Sequence, residues 1–304
     1  MRMRLMTLRK AWSGSNRYSD WLWAYLMILP LMLGLIVFYI WPVFQTFYFS
    51  FTDWGSFGIH KWAGLANYKR LFTDITLLKS FRNTAIYIVL AVPIGIILSI
   101  LLAILLNQKI KGLSFYRTMY FLPVVTMPAA IAMVWKWLYN SDYGLINYFL
   151  SLFHLPGPHW LTDNRTALLS IIIVAVWCSI GSHMIIFLSG LQGISSSYYE
   201  AASIDGANAV TKFIRITLPL LTPTLFFVTV TSLISAFQVF DFIYMMVGDI
   251  VIESTQSIVF LYFKYGFLQN SKGYASSIAV LLFIIILLIT YVQLKIQKKW
   301  VHYE

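Results

Sequence analysis

Charge is the scarcest ingredient of this 304-residue chain: 11% of its residues are Asp, Glu, Lys or Arg, where a soluble domain usually holds about a quarter. With 60% hydrophobic residues and a mean hydropathy of +0.76, that scarcity excludes an ordinary soluble domain. Cysteine is nearly missing. Cys178 stands alone inside an apolar run, which rules out an intrachain disulfide and a cluster of thiolate metal ligands. No G-x-x-x-x-G-K-S/T pattern occurs, so the chain lacks a phosphate-cradling loop of that kind. The histidines His60, His154, His159, His183 and His302 show no metal-ligand spacing, and no nucleophile with a neighbouring base can be assembled. The net charge of +11 does not gather on one face as nucleic-acid contact requires. It is spread over the ends of apolar runs, where anionic lipid explains it better.

What the chain does have is charge-free runs, at 21–52, 83–108, 118–135, 166–199, 216–240 and 273–294. Each is at least about as long as the 18 residues that mark a spanning helix. The expectation is an all-α membrane protein of six transmembrane helices, with Pro123 and Pro128 interrupting the third. Thirteen of the 22 Lys and Arg fall on the inner side if the N-terminus is cytosolic, and seven of the 11 acidic residues then fall outside. The positive-inside rule therefore favours a cytosolic N-terminus. The organisation expected is a cytosolic tail at 1–20, a first span at 21–52, an outer loop at 53–82, a five-helix core at 83–294 and a cytosolic tail at 295–304. The first run is too long for the apolar region of a secretory signal and reads as a retained span.

One polar island breaks the core, at 195–219. Ser197 followed three residues later by Glu200 has capping-box spacing and predicts a short helix starting there. Small Ala201 and Ala202 leave room for another backbone, and Gly206 is placed to end the helix in a left-handed turn. A second helix then leads through Ile216 and Leu218 to Pro219. The orientation puts this helix-turn-helix elbow in the cytosol, between spans four and five.

Written as Glu200-Ala201-Ala202, three residues, Gly206, nine residues, Ile216, one residue, Leu218-Pro219, the island resembles the EAA loop of binding-protein-dependent ABC importer permeases at all seven defining positions. The resemblance implies that Glu200, Ala201, Ala202, Asp205, Gly206, Ile216, Leu218 and Pro219 form a coupling helix held by a separate cytosolic ATPase. Phe51-Thr52-Asp53-Trp54 and Gly64-Leu65-Ala66-Asn67-Tyr68 resemble the first outer loop of the carbohydrate-importing group, and its maltose-permease-like members in particular. Phe237-Gln238-Val239-Phe240-Asp241 with Ile243-Tyr244, and the tail from Gln297 to Tyr303, match the same group. Val247-Gly248-Asp249 departs from its usual Gly-Gly-Pro turn. The family implies a non-enzymatic permease of the bacterial plasma membrane without a cofactor of its own. Its partners would be a second homologous permease, two ATPase copies that bind ATP and Mg, an extracytoplasmic solute-binding protein and membrane lipid.

Two polar stripes mark a candidate path for a neutral sugar. Ser179, Ser182 and His183 recur at helical spacing in one run, and Ser232, Ser235 and Gln238 do so in another. The resemblance puts Ser179, Ser182, Ser232 and Ser235 at cavity positions; the alternative is that these serines mediate close helix packing. Gln238 is the strongest polar cavity candidate, because a long amide is costly in lipid without partners. His183 reads as an interior histidine or one facing a partner permease. An ion-coupled secondary carrier would need intramembrane carboxylates, and a lipid-linked glycosyl-transfer enzyme a cluster of acids at one membrane face. The runs supply neither.

Overall fold

A bilayer satisfies no backbone hydrogen bonds, so an apolar chain of this kind must fold as helices. The computed structural model describes residues 17–54, 58, 60–108 and 111–301; the expected tails lie outside them at 1–16 and 302–304. Helix α1 (Arg17–Leu35) passes through a π-helical turn, Ile36–Ile40, into α2 (Trp41–Ser50). Pro42 follows this turn inside a continuous helix, where it has no N–H to give the preceding turn, and the π-helical stretch just before it is where the ladder adjusts to that loss. The apolar rod Asp20–Ser50 buries almost nothing within the chain, so its surface is left to lipid or another subunit.

A small hairpin follows, β1 (Thr52–Trp54) antiparallel to β2 (His60–Trp62), with Thr52 opposite Trp62. Then comes α3 (Ala66–Thr73). The two outer-loop motifs prove to be one staple. The Asn67 amide donates to the carbonyls of Ser50 and Thr52, at 2.9 Å each, and the Tyr68 hydroxyl meets Ser50 Oγ at 2.7 Å.

Helix α4 (Ile75–Leu106) starts well before the charge-free run at 83, which shortens the expected outer loop. Asp74 sets the start. One carboxylate oxygen accepts from the amides of Thr76 and Leu77, so Lys79 and Arg82 ride on the helix rather than in a loop. The other oxygen accepts from Tyr274 and Tyr265, at 2.7 and 2.9 Å. The third apolar run is broken as its prolines predict, into α5 (Leu113–Val125) and α6 (Pro128–Leu138), which meet at 100°. The residue before Pro128, Met127, is driven out of helical geometry.

After α7 (Leu145–Leu152) the chain enters α8 (Ala167–Gly193), then α9 (Ser196–Ile204) and α10 (Ala209–Lys212). A π-helical segment, Phe213–Thr217, and α11 (Leu218–Leu220) lead to a 65° bend and α12 (Thr222–Phe237). The short helices α13 (Asp241–Met246), α14 (Ile252–Thr255) and α15 (Ile258–Phe263) precede α16 (Lys272–Ile296). Among the described residues four helices are long and apolar enough to cross a membrane, and there are six if each bent pair counts as one span.

The core lies where α4 and α8 run together, around Ala103, Ile171, Met184 and Phe187, which are almost wholly buried. Small residues allow this closeness. A Cβ at Gly181 would collide with the Tyr120 carbonyl of α5, and one at Gly273 with the Thr52 carbonyl.

Candidate functional site: a lined cavity joined to an exposed elbow

Because α8 and α12 carry their hydroxyls on facing stripes, their meeting with α4, α5 and α6 leaves a mostly apolar cavity of about 410 Å³ with a band of hydroxyls on its wall. Ser179, Ser182, Ser232, Ser235 and Gln238 all line it. They differ in what they can still do. The hydroxyls of Ser179 and Ser182 donate back to their own helix, to the carbonyls of Val176 and Ser179. Ser179 also abuts Gly95 of α4, so it serves packing as well as lining the wall. Ser232 is buried and its hydroxyl meets His183 Nε2 at 3.1 Å, tying α12 to α8. Ser235 and Gln238 are exposed to the cavity, and their side chains make no hydrogen bond among the described residues.

Two lining residues, Thr126 and Asp241, were not singled out as path residues by sequence reasoning, and a third, His183, was placed on a polar stripe but read as interior or partner-facing. His183 is on the wall rather than in a sealed interior, with its Nδ1 buried and unpartnered. Its spacing four residues after Ser179 was the available signal. Thr126 lines the cavity at the break between α5 and α6, and Asp241 brings a carboxylate one residue beyond the charge-free run. Tyr87, Ala91 and Val92 of α4 supply the apolar side. Hydroxyls, one amide and one carboxylate against an aromatic and aliphatic wall can hydrogen-bond a polyhydroxylated solute, while the His183 imidazole, its Nε2 paired with Ser232 and its Nδ1 buried, helps to hold the wall together.

From the cavity α8 descends to the elbow. The capping box expected between Ser197 and Glu200 is not formed. Ser195 is the cap: its Oγ accepts from Ser197 N at 3.4 Å and pairs with Ser197 Oγ at 2.8 Å. Ser197 therefore lies inside the helix, and Glu200, in the second turn, cannot reach back to the cap amide. Glu200 is exposed and has no hydrogen bond or ion pair among the described residues.

Gly206 does end α9 in left-handed geometry, with φ of +76°. Its N–H reaches the Ser203 carbonyl at 3.1 Å, and the Ala207 N–H reaches that of Ala202 at 2.9 Å. This is a Schellman closure, which satisfies carbonyls that a helix end leaves open. Asn208 caps α10 through Thr211 N at 2.8 Å, and Lys212 Nζ crosses the turn to Ser203 Oγ at 2.7 Å. Tyr199 OH meets Thr217 Oγ1 at 3.0 Å. The elbow is thus tied at three places, and yet Ile204 is 87% exposed and Val210 65%. Isolated apolar residues on a surface are ordinary. On a turn braced this firmly, beside a free carboxylate, they form a face suited to a partner's cleft.

A family described as "Binding-protein-dependent transport system inner membrane component" matches residues 76–303, which takes in the cavity and the elbow. The chain belongs to this family. Among curated relatives, the multiple sugar-binding transport system permease protein MsmF of Streptococcus mutans is 36% identical over 97% of this chain and 99% of its own length. The probable ABC transporter permease protein YesP of Bacillus subtilis is 37% identical over 94% of both. The sn-glycerol-3-phosphate transport system permease protein UgpA of Agrobacterium fabrum is 33% identical over 92% of this chain and 96% of its own. A chain of a bacterial alginate ABC transporter, solved with a pentasaccharide-bound periplasmic protein, has the same fold, with a TM-score of 0.84, 22% identity and coverage of 94% and 97%. The chain is accordingly a multi-pass permease of the bacterial inner membrane.

Proposed function

We propose that this chain is one of two homologous permeases in an ATP-driven importer of sugars or sugar-like solutes, and that it couples to a separate ATPase through the 195–219 elbow. The observation that carries this reading is connectivity: the braced elbow joins α8 and α12, the two helices that contribute Ser179, Ser182, His183, Ser232 and Ser235 to the cavity. The N-terminus is cytosolic in this proposal, six spans cross the membrane, and the elbow meets a cytosolic ATPase that binds ATP and Mg. Closure of two ATPase copies around ATP displaces the elbows of both permeases. The cavity between them then opens toward an extracytoplasmic binding protein, and hydrolysis resets it. Inverting a strong resting bias this way takes roughly 5.5 kcal/mol of differential binding.

The sugar-binding transport name of the Streptococcus relative and the glycerol-3-phosphate name of the Agrobacterium one support a sugar or sugar-like substrate, as do the neutral hydrogen-bonding groups of Ser235 and Gln238 on the wall. Glu200, Ala201, Ala202, Asp205, Gly206, Ile216, Leu218 and Pro219 are the proposed coupling residues. The test is reconstitution of the complete transporter in proteoliposomes, with sugar uptake and ATP hydrolysis followed together. Uptake should require both ATP and the binding protein. Sugar accumulation without ATP would overturn the proposal in favour of a secondary carrier.

A further inference from the structure

At the end of α4 and α8 opposite the elbow lies a second hollow, of about 580 Å³. Its upper wall is basic. Lys79, Arg82 and Arg165 stand against the single carboxylate of Glu253, which pairs with Lys79 at 2.7 Å. The side chains of Arg82 and Arg165 are exposed, and neither has a partner among the described residues. The floor is held in place: the buried Asn83 amide donates to the carbonyls of Glu253 at 3.0 Å and Gln256 at 3.2 Å, fixing α14 against α4.

The lower wall has a different character. On both helices the hollow takes in the last charge before an apolar run, Arg82 on α4 and Arg165 ahead of α8, and continues to Ile86 and Leu169. Leu169 is 48% exposed and Ile86 36%. A free phosphate would use only the upper wall, and an acidic protein surface would leave the lower one bare. A lipid matches both, with an anionic headgroup between the guanidinium groups and acyl chains along the aliphatic side chains.

We propose that this hollow binds the phosphate headgroup of an anionic phospholipid in the leaflet opposite the elbow. This goes beyond the transport reading: the lipid-binding readout stands without it, and only the ATP-hydrolysis readout rests on it. Removing both charge-assisted guanidinium contacts should weaken binding of the headgroup roughly 10- to 30-fold.

The test is native mass spectrometry of the complete detergent-solubilised transporter titrated with dioleoyl phosphatidylglycerol, with dioleoyl phosphatidylcholine and inorganic phosphate as separate arms. Phosphatidylglycerol should bind in preference to phosphatidylcholine and resist millimolar phosphate. The R82Q/R165Q variant should lose that binding, while K298Q/K299Q, with the same change in net charge, should keep it. Neither guanidinium has a hydrogen bond or ion pair to lose among the described residues, so the variant should assemble. Undiminished phosphatidylglycerol binding in R82Q/R165Q would overturn the proposal. So would displacement by phosphate, which would mark an anion site, or loss of binding-protein-stimulated ATP hydrolysis with lipid binding intact, which would mark a protein-docking surface.

Discussion

Substituting Gly206 by valine isolates the geometry of the elbow from its packing. The backbone there has φ of +76°, which for an L side chain costs roughly 1–2 kcal/mol, and more for a β-branched one. Nothing lies within 4 Å of the position a Cβ would take, so no clash adds to that cost and none spreads into the helices. The strain falls on the Schellman hydrogen bonds of Gly206 to Ser203 and of Ala207 to Ala202. A penalty of this size lowers the ratio of native to altered turn about 5- to 30-fold. If the turn presents Glu200 and Ile204 to an ATPase, binding-protein-stimulated ATP hydrolysis of the reconstituted transporter should fall, by about 30-fold at the most. Membrane insertion and thermal stability of the helical core should stay as in wild type. Gly206→Asn is the internal control, because asparagine tolerates left-handed geometry and should restore most of the activity. Wild-type coupled hydrolysis in Gly206→Val would refute the reasoning, and so would an asparagine variant as defective as the valine one.

Glu200→Lys reverses a free surface carboxylate; it should reduce co-purification of the ATPase without affecting insertion, and unchanged co-purification counts against a docking role. Gln238→Ala and Ser235→Ala each remove a cavity group that makes no hydrogen bond among the described residues. At about 0.5–1.5 kcal/mol per hydrogen bond to solute, the concentration giving half-maximal uptake should rise roughly 2- to 10-fold with ATPase assembly intact, whereas wild-type uptake would assign these residues to packing. Asp74 provides a pH signature. Burial pushes its carboxyl up, but hydrogen bonds from Tyr274, Tyr265 and the amides of Leu77 and Thr76 outweigh this and hold it below the ordinary carboxylate range. Since the folded value is lowered, the stabilisation is present above the unfolded value, about 3.9, and is lost as pH falls through the folded one. Hydrogen exchange in residues 52–54 and 60–74 should stay slow at pH 5–7 in wild type and be faster in Asp74→Asn at neutral pH. Equal protection in the two would remove Asp74 as the anchor of this loop.

The apolar runs and the elbow were legible in the sequence because the bilayer and the motif both constrain residue order directly. Boundaries were less so, and Asp74 shows why: charge was taken to mark the start of the second span, but capping of Thr76 and Leu77 sets the helix start upstream of Lys79 and Arg82. The cap of α9 was misread for a related reason. Ser195, Ser196 and Ser197 all offer hydroxyls, and which one caps depends on where α8 releases the chain. Ile194 and Ser195 are extended, with ψ of 124° and 136°, so the first serine takes the role. Pro123 and Pro128 announced a break in the third span, but its 100° angle depends on packing against α8, where Gly181 meets the Tyr120 carbonyl. The His183–Ser232 pair joins residues far apart in the chain, and no periodicity links them.

That pair bears on how an elbow movement would reach the cavity. The arms leaving the elbow are tied three times: Tyr199 to Thr217 at the elbow, Gly190 against Thr224 beside it, and His183 to Ser232 at the cavity wall. Ser182 is about 16 Å along α8 from Gly193 at helical rise. Sliding one arm past the other would break the bond at its far end. Packed arms of this kind move as one body, so relative motion is left to the α5–α6 pair and to the facing permease of the proposed complex. A cross-link tests this. A Cβ built on Gly190 lies 3.1 Å from Thr224 Cβ, near the roughly 3.5–4.5 Å that a disulfide spans. In a Cys178→Ser background, G190C/T224C should transport equally well oxidised and reduced, because the bond would lock two elements that already travel together. Arrest on oxidation with recovery on reduction would show that α8 and α12 must part during the cycle, and the elbow would then act by prising the cavity wall open rather than by carrying it.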